Sequence, residues 1–155
     1  MSTSDENRVL APGEGVAVPV PGHKITHKLS GEDTGGAFSL LEVELDGDGP
    51  PQHLHKNEDE VFYVLEGEIN VLLGERTFRA KAGAVVRIPR GTVHTFGRVE
   101  KKNAKLLIMF YPPGFEKFFD EAVGPDVTDT KEFVARAEAL AGKYHMELVG
   151  PPLDA

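Results

Sequence analysis

From residue 8 to about residue 111, short apolar runs alternate with turn residues. Pro21-Gly22, Asp46-Gly-Asp-Gly-Pro-Pro51, Gly74-Glu75, Lys81-Ala-Gly83 and Pro89-Arg-Gly91 break the pattern at short intervals. A chain divided in this way builds strands rather than long helices, and many short strands joined by Gly/Pro turns make a sandwich or a barrel. The spacing predicts strands at 16–20, 25–29, 38–45, 61–65, 68–73, 77–80, 84–88, 92–99 and 104–111. Leu41, Val43 and Leu45 share one face of the third of these, with Glu42 and Glu44 on the other. The 61–65 run is apolar on both faces, as in a strand between two packed sheets. Gly74-Glu75 suits a two-residue II′ hairpin, and Pro89-Arg-Gly91 suits a type I turn with Pro second and Gly fourth.

After Pro112-Pro113-Gly114 the apolar period changes. Phe115, Phe118, Phe119, Ala122 and Val123 follow helical spacing, with Gly124 as the stop. Packing this helix onto the barrel is the expected role of the three phenylalanines. A second helix is expected over about 131–144, with Thr130 as N-cap and Phe133, Val134, Ala137, Leu140 and Ala141 as its apolar stripe. The chain then divides into a disordered tail at 1–7, a β-barrel at 8–112 and a helical extension at 113–155 packed on the barrel.

Composition limits the chemistry. The 155 residues contain no cysteine, so thiolate zinc sites, iron–sulfur clusters and thiol nucleophiles are excluded. Any metal must be held by nitrogen and oxygen. The net charge of −8, with no basic stripe, argues against nucleic acid as a partner. No apolar run approaches the ~20 residues that cross a bilayer, so no membrane partner is expected. The polar, acidic start lacks the features of a secretory signal, and a cytoplasmic location is the default expectation.

Of six histidines, His53 and His55 are the most informative, because a spacing of two puts both imidazoles on one face of a strand. Glu60 directly precedes an apolar strand, and His94 follows a Pro-x-Gly turn. Three imidazoles and one carboxylate converging inside a barrel would form a divalent metal site. Taken singly, His-x-His also occurs on surfaces and hairpins, and Glu58-Asp59-Glu60 reads as a solvated acidic loop. His23 and His27 flank Ile25 and are assigned to a surface or a subunit contact.

The spacing from Gly47 through His53, His55 and Glu60 to Gly67 resembles the first cupin motif. Gly83 through Pro89, Gly91 and His94 resembles the second. The second motif commonly ends in Asn, where this chain has Arg98. The resemblance, which is to small quercetin-dioxygenase-like cupins, implies an all-β fold. That fold is a double-stranded β-helix (jelly-roll) barrel with two C-terminal α-helices. It implies His53, His55, Glu60 and His94 as ligands of one divalent transition metal: Fe, Ni, Mn, Co, Cu or Zn. Glu60 would double as the catalytic base. Period-two reasoning adds Phe62, Val64 and Phe96 as a substrate pocket, with core packing as the competing role for Phe62 and Phe96.

Three functions compete. The first is an oxygenase joining dioxygen to a small enolisable or phenolic compound, with flavonols as the class implied by the resemblance. The second is a metal-dependent isomerase, cyclase or decarboxylase acting on the same ligand set. The third is a non-catalytic small-molecule-binding cupin. A homodimer is expected, with the 16–20 strand as a candidate contact.

Overall fold

The computed structural model describes residues 8–127 and 129–153. The expected tail at 1–7 lies outside them. Eleven strands form among the described residues: β1 (Val16–Val18), β2 (His23–Leu29), β3 (Ser39–Leu45), β4 (Gln52–His55), β5 (Asp59–Glu66), β6 (Glu68–Leu73), β7 (Arg76–Lys81), β8 (Val85–Ile88), β9 (His94–Arg98), β10 (Ala104–Tyr111) and β11 (Met146–Gly150). Between β10 and β11 lie α1 (Lys117–Ala122), α2 (Thr130–Leu140) and a short 3-10 turn at Ala141–Tyr144.

The strands make two antiparallel sheets. One runs β1-β2-β3-β10-β5-β8, and the other runs β11-β4-β9-β6-β7. Alternation sets their inner faces. Leu41, Val43 and Leu45 of β3, Phe62 and Val64 of β5, and Leu106, Ile108 and Phe110 of β10 are buried between the sheets. Removing this much apolar surface from water supplies most of the drive to fold, at about 25 cal/mol per Å². Two packed antiparallel sheets of this order form the jelly roll that the motif resemblance implies, within the sandwich-or-barrel class expected from the strand pattern.

Several local expectations change. The β5 strand is not apolar-buried on both faces, since Tyr63 on its outer face is 41% exposed. Only one side of its sheet is covered by the other sheet, so hydrophobicity on the outer side does not imply burial there. The Gly74-Glu75 turn joins β6 to β7 as a two-residue hairpin, with Leu73 opposite Arg76. The Pro89 turn is shifted by one residue: Thr92 N–H donates to the Pro89 carbonyl at 3.2 Å. Gly91 therefore occupies the third turn position with φ 81°, which a type II turn requires and L side chains resist. The Gly91 N–H is released to the His55 carbonyl at 2.7 Å, tying this turn to β4.

The N-cap of α2 is Asp129 rather than Thr130, because the Asp129 carboxylate accepts from the Glu132 N–H at 2.8 Å. The segment after α2 is not purely helical. It re-enters the barrel as β11, pairing Met146 with His55 and Leu148 with His53. Among the described residues, no helix is long and apolar enough to cross a membrane.

Candidate metal centre

The four expected ligands come from both sheets. The five-stranded sheet supplies His53 and His55 from β4 and His94 from β9, with His53 directly opposite His94. Glu60 comes from β5 in the other sheet, opposite Phe110 and Ile88. Alternation along β4 points both histidines inward, while alternation along β5 sends Glu60 inward with Phe62 and Val64. All four side chains are buried, and one ligand atom from each lies within 4.8 Å of the others.

Backbone carbonyls orient two of the rings. His53 Nδ1 donates to the Pro51 carbonyl at 2.7 Å, and His94 Nδ1 donates to the Thr92 carbonyl at 2.9 Å. A carbonyl only accepts, so each Nδ1 carries the proton and each Nε2 lone pair faces the centre. His55 is positioned by packing instead, edge-on to Phe115 with ring centroids 4.2 Å apart.

Glu60 Oε2 is 2.7 Å from His94 Nε2 and 3.3 Å from His55 Nε2. Neither approach has hydrogen-bond angles. Glu60 Oε2, His94 Nε2 and both nitrogens of His55 are thus buried polar atoms without a hydrogen-bond partner. Such atoms are costly unless something satisfies them. A cation placed among them would do so, and three imidazoles with one carboxylate suit a first-row divalent ion. The residues therefore fit a metal.

The electrostatics agree. Burial alone would push the Glu60 carboxyl up, but the neighbouring His94 and His55 hold it below the usual carboxylate range. His53 is driven well below the ordinary imidazole value, first by burial and then by the charges of His94 and His55. Burial also acts to lower His94, but Glu60 beside it raises it overall. Glu58 is not part of a solvated loop. It is buried, and burial followed by the charges of Glu60 and Glu116 pushes it up to about 7. Asp59, between them, pairs outward with Arg90 at 3.2 Å.

His53, His55 and Glu60 open onto a cavity of about 60 Å³. Its walls are largely apolar: Ile25, Val43 and Phe96 from the barrel, Phe115, Phe118 and Phe119 from the start of the C-terminal segment, and Phe133 and Ala137 from α2. The phenylalanines thus both pack the extension on the barrel and line the cavity. The volume is under half of the ~150 Å³ that holds benzene in an engineered apolar cavity.

Of the expected substrate pocket, Phe96 lines this cavity, whereas Phe62 and Val64 do not. Both are fully buried core residues, and the Phe96 ring covers Phe62 edge-on at 5.1 Å. His23 moves in the opposite direction. It is buried and lines the cavity rather than lying on a surface or subunit contact. The signal was available, because period two places His23 on the same face as Ile25, and Ile25 is core. His27 reaches Asp120, in the first turn of α1, at 3.2 Å.

The fold and the buried four-residue group define a jelly-roll protein with a candidate metal centre. Residues 39–110 match the family model described as Cupin_2, Cupin domain. These residues form a cupin domain. The chain is 28% identical over 113 residues to quercetin 2,3-dioxygenase from Bacillus subtilis, covering 72% of this chain but 33% of that enzyme. The chain spans a third to about a half of the length of the curated relatives it matches. Among solved structures it is similar to the polyketide cyclase RemF from Streptomyces resistomycificus. That match has 25% identity and a TM-score of 0.59, and it covers 68% of this chain and 79% of RemF. A predicted oxalate decarboxylase from Thermotoga maritima shares the fold, with a TM-score of 0.62 at 20% identity over 68% of this chain and 99% of that one.

Proposed function

We propose that the chain is a metal-dependent cupin enzyme acting on a small enolisable compound, with oxygenase chemistry as the first reading. One observation carries the proposal: a buried three-histidine, one-glutamate group opens, through His53, His55 and Glu60, onto an aromatic-walled cavity. A resident divalent ion on His53, His55, Glu60 and His94 would supply Lewis acidity to an enol oxygen and, with dioxygen as co-substrate, redox chemistry.

The chain's own residues do the rest. Glu60 is the only acidic side chain lining the cavity among the described residues. Ionised beside two histidines, it accepts the substrate's hydroxyl or α-carbon proton at a carboxylate oxygen. The His53 and His94 rings are held by backbone carbonyls, so the group keeps its geometry as the proton moves. The phenylalanines exclude water, which strengthens every polar interaction within the site. The cavity volume favours a compound much smaller than a flavonol.

The similarity to the Bacillus subtilis dioxygenase supports the oxygenase reading. Similarity to RemF, most of whose length is matched, favours a second, non-redox reading as a cyclase or isomerase. Elemental analysis of the purified protein, followed by oxygen-electrode screening of small enolisable compounds, tests both. Metal at about one ion per chain with oxygen uptake during turnover is the expected result. Equal turnover without dioxygen would replace the first reading by the second, and a protein that binds no divalent metal would end both.

A further inference from the structure

We infer that His23 is a substrate-positioning residue, so that the ligand of this cavity carries a hydroxyl or N–H donor in addition to its metal-binding oxygens. The inference rests on the reading of the four-residue group as a metal centre and adds a second recognition point to it. Among the described residues lining the cavity, the polar side chains are His53, His55, Glu60 and His23. The first three belong to the metal group, which leaves His23 as the one polar side chain with no role in it.

Its Nδ1 is buried and has no hydrogen-bond partner. Burial keeps the ring neutral, and with its one proton on Nε2 the buried Nδ1 is an acceptor. Water is a poor occupant for this position, because a buried water needs two to four polar partners and the wall around His23 is apolar. Phe133 of α2 faces the ring edge-on at 6.2 Å, and Ile25 is the next inward residue of β2. A donor on a bound ligand would satisfy the nitrogen at no such cost.

The position is built by the backbone. The Asp46 and Gly47 N–H groups both donate to the Gly22 carbonyl, at 3.2 and 2.9 Å. A Cβ on Gly47 would stand 2.8 Å from Gly22 Cα, so only glycine allows the two chains to touch here. This contact fixes the first residue of β2, His23, against the loop that leads into β4. The loop that delivers the candidate metal ligands therefore also locks the second recognition point.

The test uses the full chain loaded with Co(II) and two isosteric pairs of α-keto acids, each pair differing by a hydroxyl in place of a methyl group. The shorter pair is hydroxypyruvate with α-ketobutyrate, and the longer is γ-hydroxy-α-ketobutyrate with α-ketovalerate. Binding is read from the visible Co(II) spectrum. In wild type, the hydroxylated member of at least one pair should bind about tenfold tighter, the worth of one hydrogen bond to an otherwise unsatisfied buried acceptor. His23→Leu should erase that preference while leaving the methyl member within about twofold, and His23→Gln, which keeps an acceptor, should restore part of it. No preference in either pair, or a preference that survives His23→Leu, overturns the inference. Should His23→Leu fail to fold, the Zn(II)-loaded wild type decides: the ¹⁵N resonance of His23 Nδ1 must shift with the hydroxylated probe and not with its partner. If the chain takes up no Co(II), the metal-centre reading itself fails, and the inference with it; if Co(II) is bound and no probe perturbs its spectrum, the inference alone is overturned.

Discussion

His23 should make the stability of the fold sensitive to mild acid. Burial lowers its pKa from 6.5 to about 4, and the Asp48 main chain and the charge of Asp46 offset only part of that effect. On acidification the unfolded chain therefore takes up the proton first. The stability associated with a neutral His23 is complete above the unfolded value of 6.5 and is lost as pH falls toward the folded value of about 4. A separation of 6.5 − 4 = 2.5 units corresponds to about 3 kcal/mol at full extent, and roughly 2.5 kcal/mol of it is lost by pH ~4.5. His23→Gln removes the titration while keeping a polar side chain of similar size. Urea unfolding of both proteins, with metal chelated, should show wild type losing about 2 to 3 kcal/mol more than the variant between pH ~7.5 and pH ~4.5. Glu58 and the other carboxylates titrate in both proteins and cancel in the difference. Parallel losses would show that the ring is solvated in solution, and the buried acceptor would then have no basis.

Other consequences can be checked separately. His53→Ala should lower the divalent metal retained after gel filtration severalfold, measured by elemental analysis, because it removes a ligand whose ring is already oriented by Pro51. Gly49→Ala should destabilise the fold by roughly 3 kcal/mol or more or prevent soluble expression, since its Cβ would overlap the Phe96 carbonyl oxygen. Its thermal midpoint by circular dichroism is the measure, and a wild-type value would refute the close approach. Self-association through the β1 edge should give a dimer by light scattering at micromolar concentration, and Val16→Glu, at a residue 67% exposed on that edge, should shift it to monomer.

The legible parts of this protein are those carried by local pattern. Leu41, Val43 and Leu45 announce their strand because each second residue meets the same core, and that relation survives without knowing the partner strand. His53, His55, Glu60 and His94 were legible as a set because their spacing matches a family pattern. Spacing alone left His-x-His open to a surface role. What failed were assignments that depend on which side of a strand is covered. The apolar outer face of β5 suggested a strand packed on both sides, yet no second layer covers Tyr63. Likewise His23 was assigned to the outside, although its register partner is Leu45 of the core. The β11 strand was missed because it pairs with β4, far earlier in the chain, and has no adjacent hairpin partner to reveal it.

That missed strand changes how the C-terminal segment relates to the candidate centre. A helical extension resting on a barrel could be removed and leave the site behind. Here β11 pairs Leu148 with His53 and Met146 with His55, so the last strand backs the one that carries two candidate ligands. Met146 and Leu148 also line the cavity, as do Phe133 and Ala137 of α2. The 3-10 turn delivers the chain into β11 through His145, whose φ of 54° reverses its direction, and the Lys56 N–H closes the junction on the His145 carbonyl at 2.9 Å. The phenylalanine cap is therefore anchored at both ends, by β10 before it and β11 after it. Any opening of the cavity must come from movement of α1 and α2 between two fixed strands, because detaching β11 would expose the edge of β4 and loosen His53 and His55 together.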